Sequence, residues 1–419
     1  MIMHAQNLAP RHSRVANSVQ GRRHKPDYWL VTLSAVLLVI GLIIIYAISP
    51  GLTVQQNLSS NYYISRQLLA ISLGIVAFLV VSRAPLMWWR KAERPLLIAS
   101  VGAVIVVRLF GEQINGAYRW IQLGGLSFQP AELVKFALII GLAGFLTDRL
   151  KRGELGNSSK TLQPLLGVLG VITVVIAGLE SDLGSTMVMV AITVAMMFVV
   201  GLPMKRLMTV ALAVVIGLVL LVSTSSYRRQ RLVTYLHPTS DCQTTGYQAC
   251  QALITIGSGG MFGLGLGRSV QAYGYLPESA NDSIFAIYAE KFGFIGVSVL
   301  LGLFMALFSR LKNILERAPN AYTRLIATGI LAWLSTQAII NIGAMIGLLP
   351  LKGITLPFIS YGGTSLVFVT AALGLAFNIS RYTSYGPVIE LTDEEGTYYG
   401  NSTDRRRLRG AYHPTPGGR

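Results

Sequence analysis

The sequence predicts an all-α integral membrane protein, a bundle of about ten transmembrane helices with a large extracytoplasmic loop between helices 7 and 8. Three observations predict it. Of the residues 52% are hydrophobic and only 13% charged, a charged share about half that of an ordinary soluble domain. Apolar stretches near the ~20 residues that cross a bilayer recur along the chain. Lys and Arg also gather in alternate connections between those stretches, as they do where loops stay in the cytoplasm. A net charge of +17 raises nucleic acid as a partner, but that needs basic residues clustered on a folded surface with aromatics among them. Here they lie between apolar runs, so no nucleic-acid partner is expected.

The spans fall near residues 28–49, 63–82, 95–110, 130–147, 162–180, 183–202, 205–223, 280–308, 324–347 and 363–380. The first follows Arg22, Arg23 and Lys25 and is uncharged from Tyr28 to Ile48. A secretory signal has an apolar core of only about 7 to 15 residues, so this run spans. Only Glu180-Ser-Asp-Leu-Gly184 separates the fifth from the sixth, which leaves one long bent helix as an alternative.

Basic residues set the orientation. They occupy the N-terminal tail (Arg11, Arg14, Arg22, Arg23, Lys25), the loops Arg83 to Arg94, Arg149 to Lys160 and Arg310 to Arg324, the pair Lys205 and Arg206, and the tail from Arg381. Both termini are therefore expected in the cytoplasm, which needs an even number of spans. The organisation read from this is a basic cytoplasmic tail (1–27), a membrane domain (28–380) with an outer loop at 224–279, and a second cytoplasmic tail (381–419). The tails are rich in charge, Gly, Ser and Pro and read as disordered. No soluble catalytic domain is visible, so any chemistry belongs to the bundle or its outer loops.

The same topology sends Glu112, Glu132, Glu180, Asp182, Asp241, Glu278, Asp282 and Glu290 to the outer side or an outer half-helix. Ionisable groups at membrane depth are costly, so they face a cavity or a partner. Asp282 stands where the eighth span begins. Its separation from Ser279 is that of a capping box, and an acid there suits the helix dipole; the functional alternative is a carboxylate at the membrane surface acting as a general base. Glu132 and Lys135 follow Pro130 on one helical face, either as a local ion pair or as ligands. Glu180 and Asp182 cannot share a face, and structural ion pairing of at least one with Arg119, Arg66 or Lys135 is expected.

The stretch Leu349 to Ser365 is the most irregular outer segment, with Pro350, Pro357 and the pair Gly362-Gly363. Its Lys352 can receive a phosphate as a point charge or snorkel to the interface. The glycines of Gly257 to Gly267 suggest a nucleotide loop, but no Lys-Ser/Thr follows them, and that reading is rejected. Cys242 and Cys250, the two cysteines, share one polar segment without zinc-site spacing. A disulfide is expected if the segment faces an oxidising compartment, and two free thiols otherwise.

Several segments together resemble the SEDS (shape, elongation, division, sporulation) family: Gly116-Ala-Tyr-Arg-Trp-Ile121, Gln129-Pro-Ala-Glu-Leu133, Asp182-Leu-Gly184, Gly246-Tyr-Gln248, Gly263 to Gly267, Leu276-Pro-Glu278, Asp282 with Ile284-Phe-Ala286, and Lys352 to Ser365. Each is weak alone; together they are specific and cover nearly the whole bundle. The run from Lys352 resembles the division branch, since elongation members usually lack its Lys-Gly pair. The chain departs from the family at Ala280-Asn-Asp282, where His-Thr-Asp is common, and at Glu180-Ser-Asp182, where Gln-Pro-Asp is common; the cysteine pair is not a family feature.

The resemblance implies a ten-helix peptidoglycan glycosyltransferase of the bacterial plasma membrane, acting at the division septum. It implies Asp282 as the catalytic carboxylate, with lipid II and the growing glycan strand as substrates and polyprenyl diphosphate as leaving group. Implied substrate contacts are Lys352, Arg119, Glu278, Glu132, Lys135, Ser360, Gly362, Gly363, Gln248, Arg231 and Arg268. A class B penicillin-binding protein, which is a transpeptidase, other division proteins and membrane lipids are the implied partners. No metal motif is visible, and a divalent cation, magnesium or manganese, is an allowed cofactor at the diphosphate. A lipid II flippase and a noncatalytic division scaffold are the alternatives.

Overall fold

The computed structural model describes residues 22–383, except 24, 115, 116, 124, 125, 180, 181, 224–228, 230–232, 234, 236–241 and 245. The described chain is helical, as its apolar runs require where no water can satisfy a backbone. Its helices are α1 (Tyr28–Gln55), α2 (Tyr62–Arg83), α3 (Leu86–Phe110), α4 (Pro130–Lys151), α5 (Gln163–Ile172), α6 (Leu183–Val199), α7 (Met204–Ser223), α8 (Tyr247–Ser258), α9 (Ile284–Glu316), α10 (Ala321–Met345) and α11 (Gly363–Ile379). Wider π-helical turns, Ser158–Leu162 and Thr173–Leu179, extend α5 at both ends. Among the described residues, six helices are long and apolar enough to cross a membrane: α1, α2, α4, α5 with its extensions, α9 and α10. The shorter α6 and α11 are apolar as well.

Short strands complete the fold. Glu112–Ile114 (β2), Ala117–Leu123 (β3) and Leu126–Phe128 (β4) form an antiparallel sheet between α3 and α4, where the hydropathy reading had only a loop. Arg22–Arg23 (β1) pairs with Tyr382–Thr383 (β5), so the two ends of the membrane domain leave together. The same end holds Asp27, which pairs with Arg310 at 2.7 Å and donates its N–H to Ser380 Oγ at 3.0 Å. Arg90 bridges Glu93 and Asp148 there.

Close helix contacts rest on small residues. In α2 and α11, which run parallel, a Cβ at Gly74 would stand 2.7 Å from Thr370 Oγ1 and one at Gly374 2.8 Å from Phe78 O. Such approach is what holds helices together where lipid is as apolar as Leu.

The glycine-rich segment has a structural use. Helix α9 is broken at Gly293, whose φ is 64° and ψ −165°. The backbone groups freed there meet the glycine segment: Leu264 N–H donates to Glu290 O at 2.9 Å, Gly265 N–H to Lys291 O at 3.0 Å, and Phe294 N–H to Gly260 O at 2.9 Å. Side chains anchor it too, as Glu290 accepts from Ser269 Oγ and Val270 N–H while Lys291 Nζ donates to Leu266 O at 2.9 Å. The segment is therefore a backbone plug in a kinked helix. A Cβ at Gly293 would lie 2.4 Å from Gly263 N, so Gly293→Ala is expected to cost more than ~2 kcal/mol and lower the unfolding midpoint in detergent. Gly302→Ala, in open space on the same helix, should leave the midpoint unchanged or raise it.

Candidate functional site

At the end opposite Asp27, two irregular segments are stitched into one surface. Asn341, near the end of α10, donates from Nδ2 to Asp282 O at 2.7 Å and to Ile354 O at 2.6 Å. Ser360 Oγ donates to Asn281 O at 2.6 Å and accepts from Leu356 N–H at 2.7 Å, and Tyr361 N–H donates to Ala280 O at 2.8 Å. The turn before α9 and the loop before α11 are thus fixed against each other. Asp282 is 7% exposed, and Gly353, at φ 65°, lies so close that a Cβ there would stand 3.7 Å from Asp282 Oδ2. Gly184, in the first turn of α6, packs against Ile354 and the Lys352 carbonyl.

The capping-box reading of Ser279 and Asp282 is corrected here. Helix α9 starts at Ile284 after Ser283, and the buried Ser279 Oγ has no hydrogen-bond partner. Glu278, in the left-handed region at φ 52°, turns the chain, and its carbonyl takes the N–H groups of Asn281 and Ser283. Asp282 therefore belongs to a tight turn beside the Lys352 loop.

Helices α4, α6, α9 and α11 all begin at this end, as does α2, whose Tyr63 ring meets that of Tyr361 edge-on. Gln129 joins three of them: its N–H donates to Thr364 Oγ1 at 3.2 Å and its Nε2 to Asp182 Oδ2 at 3.3 Å. Each N-terminus carries roughly half a positive charge, so the mouth suits an anion. Asp182 caps α6 by accepting from Ser185 N–H at 2.9 Å and Ser185 Oγ at 2.7 Å. A cap, and no ion pair among the described residues, accounts for Asp182, while Glu180 lies outside them.

Glu132 and Lys135 form a 2.6 Å ion pair, 3% and 1% exposed. Lys135 also donates to Gln337 Oε1 at 3.4 Å, and Trp333 Nε1 to the same oxygen at 2.7 Å. Gln337 Nε2 in turn donates to Thr355 O at 3.0 Å, so the pair ties α4 to α10 and to the Lys352 loop.

Of the other expected residues, Gln248 and Glu278 border the turn that carries Asp282. Gln248 on α8 donates to Ser283 Oγ at 3.2 Å, and Glu278 accepts from Asn281 Nδ2 at 2.5 Å. Arg119 on β3 and Lys352 are half-buried and engaged with neighbours, Gly362 and Gly363 open α11, and Arg268 is exposed. Arg231 lies outside the described residues. Cys242 and Cys250 are bonded as a disulfide. Burial pushes the Tyr361 hydroxyl up to about 12, with nearby Arg66 pulling the other way. Among the described residues no three His, Cys, Asp or Glu gather as a metal cage. Any divalent cation would be held mainly by a ligand's phosphates, with Asp282 and Glu278 as the acids of the mouth able to share it.

Sequence reasoning missed Asn341 and Gln337, the two side chains that fasten the loop. The available signal was an amide inside an otherwise apolar run.

The cell cycle protein family of FtsW, RodA and SpoVE matches residues 28–385. A probable peptidoglycan glycosyltransferase FtsW of Hydrogenovibrio crunogenus is 36% identical over 90% of this chain and 97% of its own length. The stage V sporulation protein E of Bacillus subtilis is 37% identical over 87% of this chain and 99% of its own. Among solved structures, the rod shape determining protein RodA of Thermus thermophilus superposes with TM-score 0.62 at 28% identity, covering 86% of this chain and 98% of that one. A chain of a peptidoglycan synthase complex that coordinates polymerization and crosslinking superposes with TM-score 0.68 at 28% identity, covering 85% of this chain and 98% of that one.

Removing one member of the buried pair tests its energetics. Lys135→Met leaves the Glu132 carboxylate buried without its cation and is expected to cost ~3–5 kcal/mol. The double variant Glu132→Leu/Lys135→Met should recover most of that loss, read as unfolding midpoints in detergent.

Proposed function

Because the chain belongs to the FtsW, RodA and SpoVE family, a multi-pass membrane family, we propose that it is a peptidoglycan glycosyltransferase that polymerises lipid II into glycan strands during cell division. The single observation that carries the chemistry is a buried carboxylate, Asp282, held by its own backbone at the meeting point of the Lys352 loop and several helix N-termini. The reaction needs those two features together. A sugar hydroxyl is a poor nucleophile, and the diphosphate it displaces, already doubly negative in the ester, gains a further negative charge as it leaves.

In the proposed step, Asp282 takes the proton of the acceptor hydroxyl as its oxygen bonds to the anomeric carbon of the growing strand. The bond from that carbon to the polyprenyl diphosphate breaks, and the diphosphate leaves with the electron pair. A positioned base contributes about 10²-fold or more to such a step. Lys352 and Arg119, with Arg231 and Arg268 as further cations, hold the leaving group, and helix dipoles add positive potential without reorganising. Glu132 and Lys135 support the Lys352 loop through Gln337. A magnesium or manganese ion, where the diphosphate carries one, would supply further charge neutralisation.

The lipid tail explains why the catalyst is a bundle, since grooves between helices admit a polyprenyl chain sideways while the sugars stay at the surface. The proposal includes ten spans, both termini in the cytoplasm, and this mouth on the outer face at the septum. The disulfide within the expected outer loop supports that orientation, because disulfides persist on the oxidising side. A class B penicillin-binding protein is the proposed partner, in keeping with the synthase-complex chain that this one resembles.

The deciding experiment is polymerisation of lipid II by the purified chain, with and without its transpeptidase partner, beside Asp282→Ala and Asp282→Asn, with products resolved on a gel. Native strands and a loss of 10²-fold or more in both variants are expected. Equal strands from native and variants would move the base elsewhere, to Glu278 first. No strands from any of them, with folding confirmed and the partner present, would favour the flippase or scaffold reading.

A further inference from the structure

Among the described residues, Gln67 is the one side chain whose two polar atoms are both buried and unpartnered. Gln67 on α2 is 1% exposed, yet neither its Nε2 nor its Oε1 has a hydrogen-bond partner. A buried, unsatisfied amide costs ~1–3 kcal/mol or more, and greater still where lipid replaces water. A group left in that state calls for a partner, which can be a water, an ion or a ligand.

The face on which Gln67 stands follows from the packing. Tyr63, Gln67, Ala70 and Gly74 recur at the spacing of one helical face and are all buried. That face lies on α11 and the residue before it. The rings of Tyr63 and Tyr361 are 5.1 Å apart, and a Cβ on Gly74 would touch Thr370. Because the two helices run parallel, Gln67 stands between these levels and faces the first turn of α11, Gly363 to Leu366.

That turn is itself unsatisfied. Helix α11 has 17 residues, and its N-cap, Gly362, offers no side chain to cap it. Among the described residues, the N–H groups of Gly362, Gly363, Thr364 and Ser365 meet no acceptor, and the first bond of the helix is Leu366 N–H to Gly362 O at 3.0 Å. The side chains of the turn are already engaged elsewhere, Thr364 Oγ1 with Ser127 O and Ser365 Oγ with Thr355 Oγ1. Uncapped N–H groups, a helix dipole and absent Cβ atoms make a cradle for a phosphate. Arg66, the residue before Gln67, is half-buried and brings positive charge beside Tyr361.

We infer that the first turn of α11 and the Gln67 amide form a diphosphate-binding subsite, which takes the diphosphate of a polyprenyl-linked substrate or product. The backbone N–H groups bind the phosphate oxygens, and Gln67 Nε2 donates one further hydrogen bond from the side of α2. The inference rests on the glycosyltransferase reading and deepens it, by assigning the anion to neutral donors in addition to Lys352 and Arg119. Gln67 is a binding residue in this assignment and takes no proton.

The test is isothermal titration of the full chain in detergent with geranylgeranyl diphosphate, geranylgeraniol and inorganic pyrophosphate, using the native protein and Gln67→Leu. Losing one hydrogen bond to a charged group should weaken diphosphate binding roughly tenfold. The unfolding midpoint should stay level or rise, because Leu removes an unsatisfied buried amide. Native affinity in Gln67→Leu would overturn the subsite, and so would a lowered midpoint accompanying the weaker binding, since Gln67 would then be structural. Geranylgeraniol binding as tightly as the diphosphate would also overturn it. Pyrophosphate should compete, but more weakly than the prenyl form; equal affinity would mean a site for free diphosphate and end the lipid assignment. The assay needs no turnover. A native chain that binds diphosphate through Gln67 yet makes no strands would end the glycosyltransferase reading alone, and native-like binding by the variant beside normal polymerisation would end the subsite alone.

Discussion

The two hydrogen bonds from Asn341 Nδ2, to Asp282 O and Ile354 O, hold together the end of the bundle opposite Asp27. Irregular backbone survives near a membrane only where protein groups satisfy it. The turn before α9 and the loop before α11 are both irregular, and each supplies polar groups that the other, or α10, satisfies. Asn341, Ser360 and Gln337 fix the backbone that carries Asp282 against the Lys352 loop and α10.

That rigidity has an electrostatic consequence. The N-termini of α4, α6 and α11 meet at one mouth, and their partial charges cannot move away from one another, because Gln129, Thr364 and Asp182 bond the ends together; Ser360 and Tyr361 tie the turn before α9 to the same place. The buried Glu132–Lys135 pair underlies the same region. Its net effect on stability is small beside a well-packed apolar replacement, but breaking one half is costly. Its evident use is positional, since Lys135, Trp333 and Gln337 form a chain that ends on the Thr355 carbonyl.

Helix α9 applies the same rule elsewhere. A kink at Gly293 exposes backbone groups, and the segment 260–265 covers them, with Glu290 and Lys291 pinning the chain beyond. Gly259 and Gly263 are needed because the two backbones approach too closely there for a Cβ, which would stand 2.2 Å from Ala289 O and from Lys291 O. The residues said glycine-rich, and only the contact said why.

Hydropathy and charge by themselves determined the membrane class, the approximate positions of the apolar helices and the expectation that the unusual acids gather at one end. These follow from burying apolar surface in lipid and from the cost of moving Lys and Arg across it, both local properties of the chain. Asp282 was legible as a candidate, but spacing could not separate a capping box from a site, because the start of α9 is set by the Glu278 turn and by bonds to Asn341. Only the tertiary structure decided that Glu132 and Lys135 are sealed in the bundle, that Asp182 caps a helix, that the two cysteines are bonded and that Gln67 faces an uncapped helix. Each depends on which helices pack together, and a polar residue inside an apolar run carries no mark of its partner until they do.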